Sequence, residues 1–214
     1  PMNITLKQVV PAPLAGVLDG KSKVWNTNVL FEQGKRYQVY APSGKGKSTF
    51  IHILYGIRHD YEGSVLINEV PVQEIKKPVW ASMRQQEMSL VFQDLRLFMN
   101  LTGRENIQVK AVLYKANLEH EVERMAELLG VTHVLDKQAA LLSYGERQRI
   151  AIIRALIQPF HFLLLDEPFS HLDEDNIKKA CELIDEKCTQ NNASIIMTSL
   201  GYPYFLTFDE KLIL

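Results

Sequence analysis

The chain has 214 residues, 46% hydrophobic and 23% charged, the composition of one ordinary globular domain with a real core. Its 24 lysines and arginines nearly balance 25 aspartates and glutamates, so no overall field draws it to nucleic acid or acidic lipid, and no nucleic-acid partner is expected. Even the unbroken apolar run 162–165 is far shorter than the ~20 residues that cross a bilayer, and no basic-then-apolar segment follows Pro1-Met2. Direct membrane insertion is not expected; any membrane association comes through a partner.

In chain order, 4–10 alternates apolar and polar residues as a half-buried strand does. Pro11, Pro13, Gly16 and Gly20 then make a loop. Residues 29–31 and 36–40 bracket Glu32-Gln33-Gly34-Lys35, which reads as a hairpin turn. Strand 36–40 runs into a Gly- and Ser-rich loop, and 48–57 then reads as helix. Short strands are expected at 64–68 and 88–92.

From 100 to about 140 the pattern is helical. Thr102-Gly103-Arg104-Glu105 has capping-box spacing, and Val122, Met125, Ala126 and Leu129 recur at helical intervals. Helix 144–157, strand 162–165, helix 173–189, strand 194–198 and strand 211–214 follow. Alternating strands and helices predict an α/β fold with a largely parallel sheet covered on both faces, interrupted by an inserted helical subdomain. Cys181 and Cys188 stand seven apart on a helix, roughly 10 Å along its axis, too far for a disulfide. Two reduced packing thiols and a reducing cytosol are expected.

Ala41-Pro42-Ser43-Gly44-Lys45-Gly46-Lys47-Ser48-Thr49 lies between strand and helix, the context a phosphate loop needs. Gly44 and Gly46 permit the turns that aim backbone amides at phosphate oxygens, and the helix start adds its positive dipole end. Lys47 suits the β- and γ-phosphates, and the Ser48 hydroxyl suits magnesium. A ligand-free Gly-rich loop is the bland alternative, but Lys47-Ser48 in that register has no packing purpose. The continuous apolar run 162–165 reads as a strand buried on both faces, with Asp166 and Glu167 at its carboxyl end, where open α/β sheets place ligands. There Asp166 can hold magnesium through a water, and Glu167 can polarise an attacking water as general base. A phosphate loop alone fits a kinase, a GTPase, a helicase or a transporter motor; Leu142-Ser143-Tyr144-Gly145-Glu146 narrows the choice.

Together the loop 41–49, Val91-Phe92-Gln93-Asp94, 142–146, 163–168 and Ser170-His171-Leu172-Asp173 resemble, in order and spacing, the nucleotide-binding domain of an ABC transporter. Residues 146–156 look most like the subgroup serving lipoprotein-release, macrolide-export and cell-division permeases. The resemblance implies a P-loop NTPase of ABC type, with a mostly parallel core sheet, an antiparallel N-terminal β part, a core of 2–93 and 143–214, and a helical subdomain at 94–142. It implies an ATPase that binds ATP through Ser43, Gly44, Lys45, Gly46, Lys47, Ser48 and Thr49. Glu167, Gln93 and Lys47 would serve catalysis, and Ser48, Gln93 and Asp166 would hold Mg2+. Ser143, Gly145 and Asp173 would reach the nucleotide of the other subunit in a head-to-tail homodimer. The partner would be an integral membrane permease, which would hold the chain on the cytoplasmic face of the inner membrane.

Four positions depart from that family's pattern. Ser199 or Leu200 stands where a γ-phosphate-contacting histidine is usual. The stretch 11–17 lacks the ring that stacks on adenine, with Trp25 the nearest aromatic candidate. Tyr144 replaces a glycine, either crowding the opposing nucleotide or turning outward, and Ala41 replaces the first glycine of the loop. These departures point to slow turnover, and the alternative function is a regulatory subunit that uses ATP for dimer closure rather than transport.

Overall fold

The computed structural model describes residues 1–41, 46–114, 117–202 and 204–214. Strands β1 (Asn3–Pro11) and β2 (Asn28–Glu32) come first, then β3 (Arg36–Tyr40), helix α1 (Lys47–Leu54), β4 (Tyr61–Ile67) and β5 (Val70–Pro71). Helix α2 (Lys77–Gln86), β6 (Met88–Val91), α3 (Gly103–Ala111) and α4 (Glu119–Leu128) lead to α5 (Tyr144–Leu156). The remainder is β7 (Phe162–Asp166), α6 (Glu174–Asn191), β8 (Ser194–Ser199) and β9 (Glu210–Ile213).

Two sheets result. One is antiparallel, in the order β2-β1-β4-β5; the other is wholly parallel, in the order β6-β7-β8-β3-β9. The expected hairpin across 32–35 is therefore corrected: β2 pairs with β1, whereas β3 pairs with β8 and β9. Tyr37, Gln38 and Val39 are all buried, so β3 needs a sheet covered on both faces, which an edge position beside β2 does not supply. Gly34, at φ 92°, takes the left-handed conformation that lets the chain step from one sheet to the other.

Period-two alternation divides β7 between two cores. Phe162 and Leu164 pack with Ile4, Leu6, Phe31 and Phe50 under the antiparallel sheet. Leu163 and Leu165 pack on the opposite face with Ile150 and Ile153 of α5 and Leu183 and Ile184 of α6. Ile107 of α3 and Val122 and Met125 of α4 join this second core, with α3 packed on α5 and α4 on α5 and α6. The capping box at Thr102 forms as expected: Thr102 Oγ1 accepts from Glu105 N, and Glu105 Oε1 accepts from Thr102 N, each at 3.0 Å. Helix α1 ends at Leu54, short of the expected 57. The nearby Gly56 has φ 74° and lies under Trp80, whose ring stands 2.5 Å from where a Cβ would sit. Helix α2, unassigned from sequence, buries only Trp80 and Met83. Cys181 and Cys188 are free and buried, and burial pushes both thiols up to about 12, as befits packing residues.

Candidate functional site

Strand β3 ends beside Ala41, and Gly46 starts α1 with φ 88°. The positive φ is what favours glycine there; a Cβ would meet only the Leu14 Cδ1 methyl, at 3.0 Å. Ala41 does not take a positive φ, so this position does not require the glycine that the family pattern has. Ser43, Gly44 and Lys45 lie outside the described residues. Lys47, only 5% exposed, extends its ammonium to the Ala41 carbonyl at 3.0 Å and to Glu167 Oε1 at 3.3 Å. The Thr49 hydroxyl accepts instead from Arg58 Nη1 at 3.1 Å.

The carboxyl end of β7 faces the start of α1. Ser48 Oγ donates to Asp166 Oδ2 at 2.7 Å and lies 2.9 Å from Gln93 Oε1, its single proton serving one acceptor at a time. Gln93 Nε2 donates to Glu167 Oε2 at 2.7 Å. Asp166 is 1% exposed; burial pushes its carboxyl above the usual range, opposed by hydrogen bonds from Ser48 and Thr198. Glu167 takes φ 47°, left-handed backbone that costs a non-glycine residue roughly 1–3 kcal/mol and gathers at functional sites. Five side chains, from α1, the segment after β6, the end of β7 and the residue that follows it, thus form one network, open to a cavity of about 320 Å³ lined by Ser48, His52, Gln93, Asp94, Tyr144 and Asp166.

Among the described residues no group of three or more His, Cys, Asp or Glu gathers at metal-binding range. Instead Ser48 Oγ, Gln93 Oε1 and Asp166 Oδ2 bring three oxygens together, a hard donor set that suits Mg2+ better than a softer transition ion.

The segment 142–146 opens α5 with a second capping box. Ser143 Oγ accepts from Glu146 N at 3.1 Å and Glu146 Oε1 accepts from Ser143 N at 2.9 Å; that backbone bond holds the Glu146 carboxyl below its usual range. Gly145 is needed, since a Cβ there would stand 2.9 Å from the His171 carbonyl. Tyr144 is held within its own chain rather than turned outward. Its ring lies against His171 at 4.0 Å between centroids, and its hydroxyl donates to the Gln93 carbonyl at 3.0 Å. Asp173 caps α6, its Oδ1 accepting from Asn176 N at 2.8 Å. Among the described residues, Ser143, Gly145 and Asp173 make no hydrogen bond to the Ser48–Asp166 cluster; Tyr144 provides the link.

Trp25 is 3% exposed and packs edge-on against Phe50 at 5.9 Å between centroids, so it is a core residue and no stacking platform. Ser199 is buried and accepts from Gln38 Nε2 at 3.0 Å, whereas Leu200 is 47% exposed. Leu200 and Glu167 both line a second cavity, of about 490 Å³, with Tyr202, Tyr204 and Phe205.

Sequence reasoning overlooks Thr198, which donates to Asp166 Oδ1 at 2.9 Å and accepts from Glu167 N at 3.1 Å. Its signal is register, since β8 lies beside β7 with Thr198 opposite Asp166. Gln148 is overlooked too: buried in α5, it accepts from His171 N at 3.1 Å and donates to Ser170 Oγ at 3.2 Å, fixing the loop after β7.

A helix start that brings a lysine and a serine to an acid pair at the carboxyl edge of a parallel sheet defines an α/β P-loop NTPase. Residues 24–170 match the family described as "ABC transporter". A lipoprotein-releasing system ATP-binding protein LolD from Saccharophagus degradans is 32% identical over 190 residues, covering 86% of this chain and 83% of that protein. The glucose import ATP-binding protein GlcV of Saccharolobus solfataricus is 33% identical over 177 residues, covering 81% of this chain and 50% of that protein. The dimeric structure of MJ0796, a bacterial ABC transporter cassette, superposes with TM-score 0.75 at 25% identity, covering 91% of this chain and 87% of that one. The chain belongs to the ABC transporter family. The LolD match agrees with the subgroup that 146–156 resembles.

Proposed function

We propose that the chain is the ATP-binding subunit of a transporter, which binds and hydrolyses Mg-ATP at a head-to-tail homodimer interface and drives a membrane permease. The observation that carries this is the Gln93 side chain bridging Ser48 and Glu167, with Lys47 and Asp166 in the same network. Ser48, Gln93 and Asp166 hold Mg2+, which when bound neutralises charge on the phosphates. Ser43, Gly44, Lys45, Gly46 and Thr49 belong to the loop that cradles them. The Lys47 ammonium, paired with Glu167 here, turns to the β- and γ-phosphates as they enter, since a polyanion outcompetes one carboxylate. Glu167, so released, accepts the proton of the attacking water, and Gln93 keeps its carboxylate oriented.

Ser143, Gly145 and Asp173 serve the second copy's nucleotide, a role supported by the exposure of Ser143 and Asp173 and by the free amides at the start of α5. The helical subdomain at 94–142 meets the permease. Support comes from exposed Phe98, Met99 and Leu141, brought together by the bond from Ala140 N to the Met99 carbonyl at 3.0 Å. The permease would hold the chain peripherally on the cytoplasmic face of the inner membrane; among the described residues no helix is long and apolar enough to cross a membrane. Relatives named for lipoprotein release and for glucose import stand at similar identity, so the cargo is the permease's to choose.

ATP turnover by the purified chain with Mg2+, set against Glu167→Gln, tests this reading. Turnover at least about 100-fold above that variant is expected, the usual worth of a general base. Equal rates would remove hydrolysis from the proposal.

A further inference from the structure

Tyr144 occupies a place where its hydroxyl and its ring do separate jobs. The ring lies on His171, in the loop that follows β7, and the hydroxyl reaches the Gln93 carbonyl, in the segment that follows β6. Those two loops leave neighbouring parallel strands, since β6 pairs with β7. Gly145 leaves room for the His171 carbonyl, which a Cβ there would meet at 2.9 Å, and Gln148 holds the His171 amide, so the platform beneath Tyr144 is closely packed on one side and hydrogen-bonded on the other. The side chain of Gln93, whose own carbonyl Tyr144 holds, spans Ser48 and Glu167.

Resting on the hydrolysis reading above, we propose that Tyr144 is a positioning residue: it fixes the backbone of Gln93, and so ties the face carrying Ser143 and Gly145 to the chain's own Ser48–Asp166–Glu167 cluster. A glycine at 144 has neither ring nor donor and leaves Gln93 held by its side chain alone. The exposed face of Ser143 is the one offered to a second copy, whereas Gln93 serves the first. A displacement of the α5 start on dimer closure therefore pulls on Gln93 through one phenol, and the amide's grip on Ser48 and Glu167 moves with it.

Tyr144→Phe removes the donor and keeps the ring on His171. Its kcat should fall about 3- to 10-fold, the worth of one hydrogen bond, while the KM for ATP stays within about twofold because the phosphate loop is untouched. Added to Gln93→Ala, the same change should cost nothing further, since the held residue no longer bridges the cluster. An unaltered kcat in Tyr144→Phe, or effects that multiply in the double variant, would overturn the proposal. A wild-type chain without turnover would instead sink the hydrolysis reading. The link is then read without nucleotide, from the Gln93 side-chain amide signals in a 15N–1H spectrum, assigned by their loss in Gln93→Ala. They should move in Tyr144→Phe while those of the remote Gln190 stay; a Gln93 pair that does not move overturns it.

Discussion

Gln93 and Glu167 are joined by a hydrogen bond of 2.7 Å from Nε2 to Oε2, although 74 residues separate them and they leave different strands. The other end of the same amide meets Ser48 at 2.9 Å. A single planar group thus sets the distance between the candidate metal ligand on α1 and the candidate base after β7. Its two ends are chemically distinct: only the nitrogen donates to a carboxylate, and only the oxygen can add to a hard donor set.

Gln93→Ala should therefore lower kcat by about 10- to 100-fold, the range associated with misplacing a reacting group by an ångström or so. The apparent Mg2+ requirement should rise as well, because one of three converging oxygens is gone. Titrating turnover with Mg2+ at saturating ATP checks both; loss of kcat with no change in the Mg2+ dependence would remove Gln93 from the metal set.

Asp166 places function and stability in opposition. Burial raises its carboxyl above the unfolded value near 3.9, so between those two pKa values the folded chain carries the extra proton. Stability is then lost as pH rises through that window, and the loss persists above it. Asp166→Asn keeps an oxygen for Thr198 without the buried charge. Its Tm at pH 7 should rise by about 2–4 °C, equivalent to ~1 kcal/mol in a chain of this size. Near pH 3 the gain should vanish. With Mg2+ and ATP present the wild type should overtake the variant, because ligand stabilises only a chain that binds it. A lower Tm for the ligand-free variant at pH 7 would contradict this assignment.

What could be read from sequence followed contact range. Lys47-Ser48 and the run ending at Asp166 and Glu167 declare themselves through local pattern: the buried strand β7 is continuously apolar until its final acid, and the helix start is marked by glycine. The hairpin at 32–35 misled because a turn signal says that the chain changes direction, not which sheet receives the next strand. Helix α2 went unseen because Trp80 and Met83 alone mark its buried face. Thr198 joins the acids only through the β7–β8 register, and Tyr144 meets Gln93 across 51 residues. The internal contact of Tyr144 is invisible in the motif itself, because only the packing of two loops creates it.

The positions that replace the usual histidine make a paired prediction. Leu200 is exposed and lines the second cavity together with Glu167, so on the proposed function Leu200→His would bring an imidazole donor toward the transferred phosphoryl group. Turnover should rise, by about tenfold if one donor is gained. Ser199→His should instead lower Tm by several degrees, because Ser199 is buried and accepts from Gln38 and from Gly201 N, leaving no volume for a ring. Leu200→His with wild-type turnover would mean that this cavity does not face the reacting phosphate.

The seam between α4 and α6 should fail in acid through one glutamate. Glu121 accepts from Arg124, at 2.7 Å from Nη2 to Oε1, and pairs with Lys187 at 2.5 Å, while Arg124 also reaches Glu186 at 2.6 Å. The hydrogen bond from Arg124, with Lys187 in support, holds the Glu121 carboxyl down at about 2. A depressed carboxyl contributes stability that is present above the unfolded value near 4.3 and lost as pH falls toward 2. Glu121→Gln should then cost ~1 kcal/mol at pH 7, the upper end for a partly exposed ion pair, and the gap should close in a Tm series taken down to pH 2. Because the four side chains are half-buried at a helix seam, about 0.5 M salt should narrow the gap without removing it. A gap that persists at pH 2 would place the effect in the hydrogen-bond geometry of the amide against Arg124 and Lys187 rather than in the lost charge.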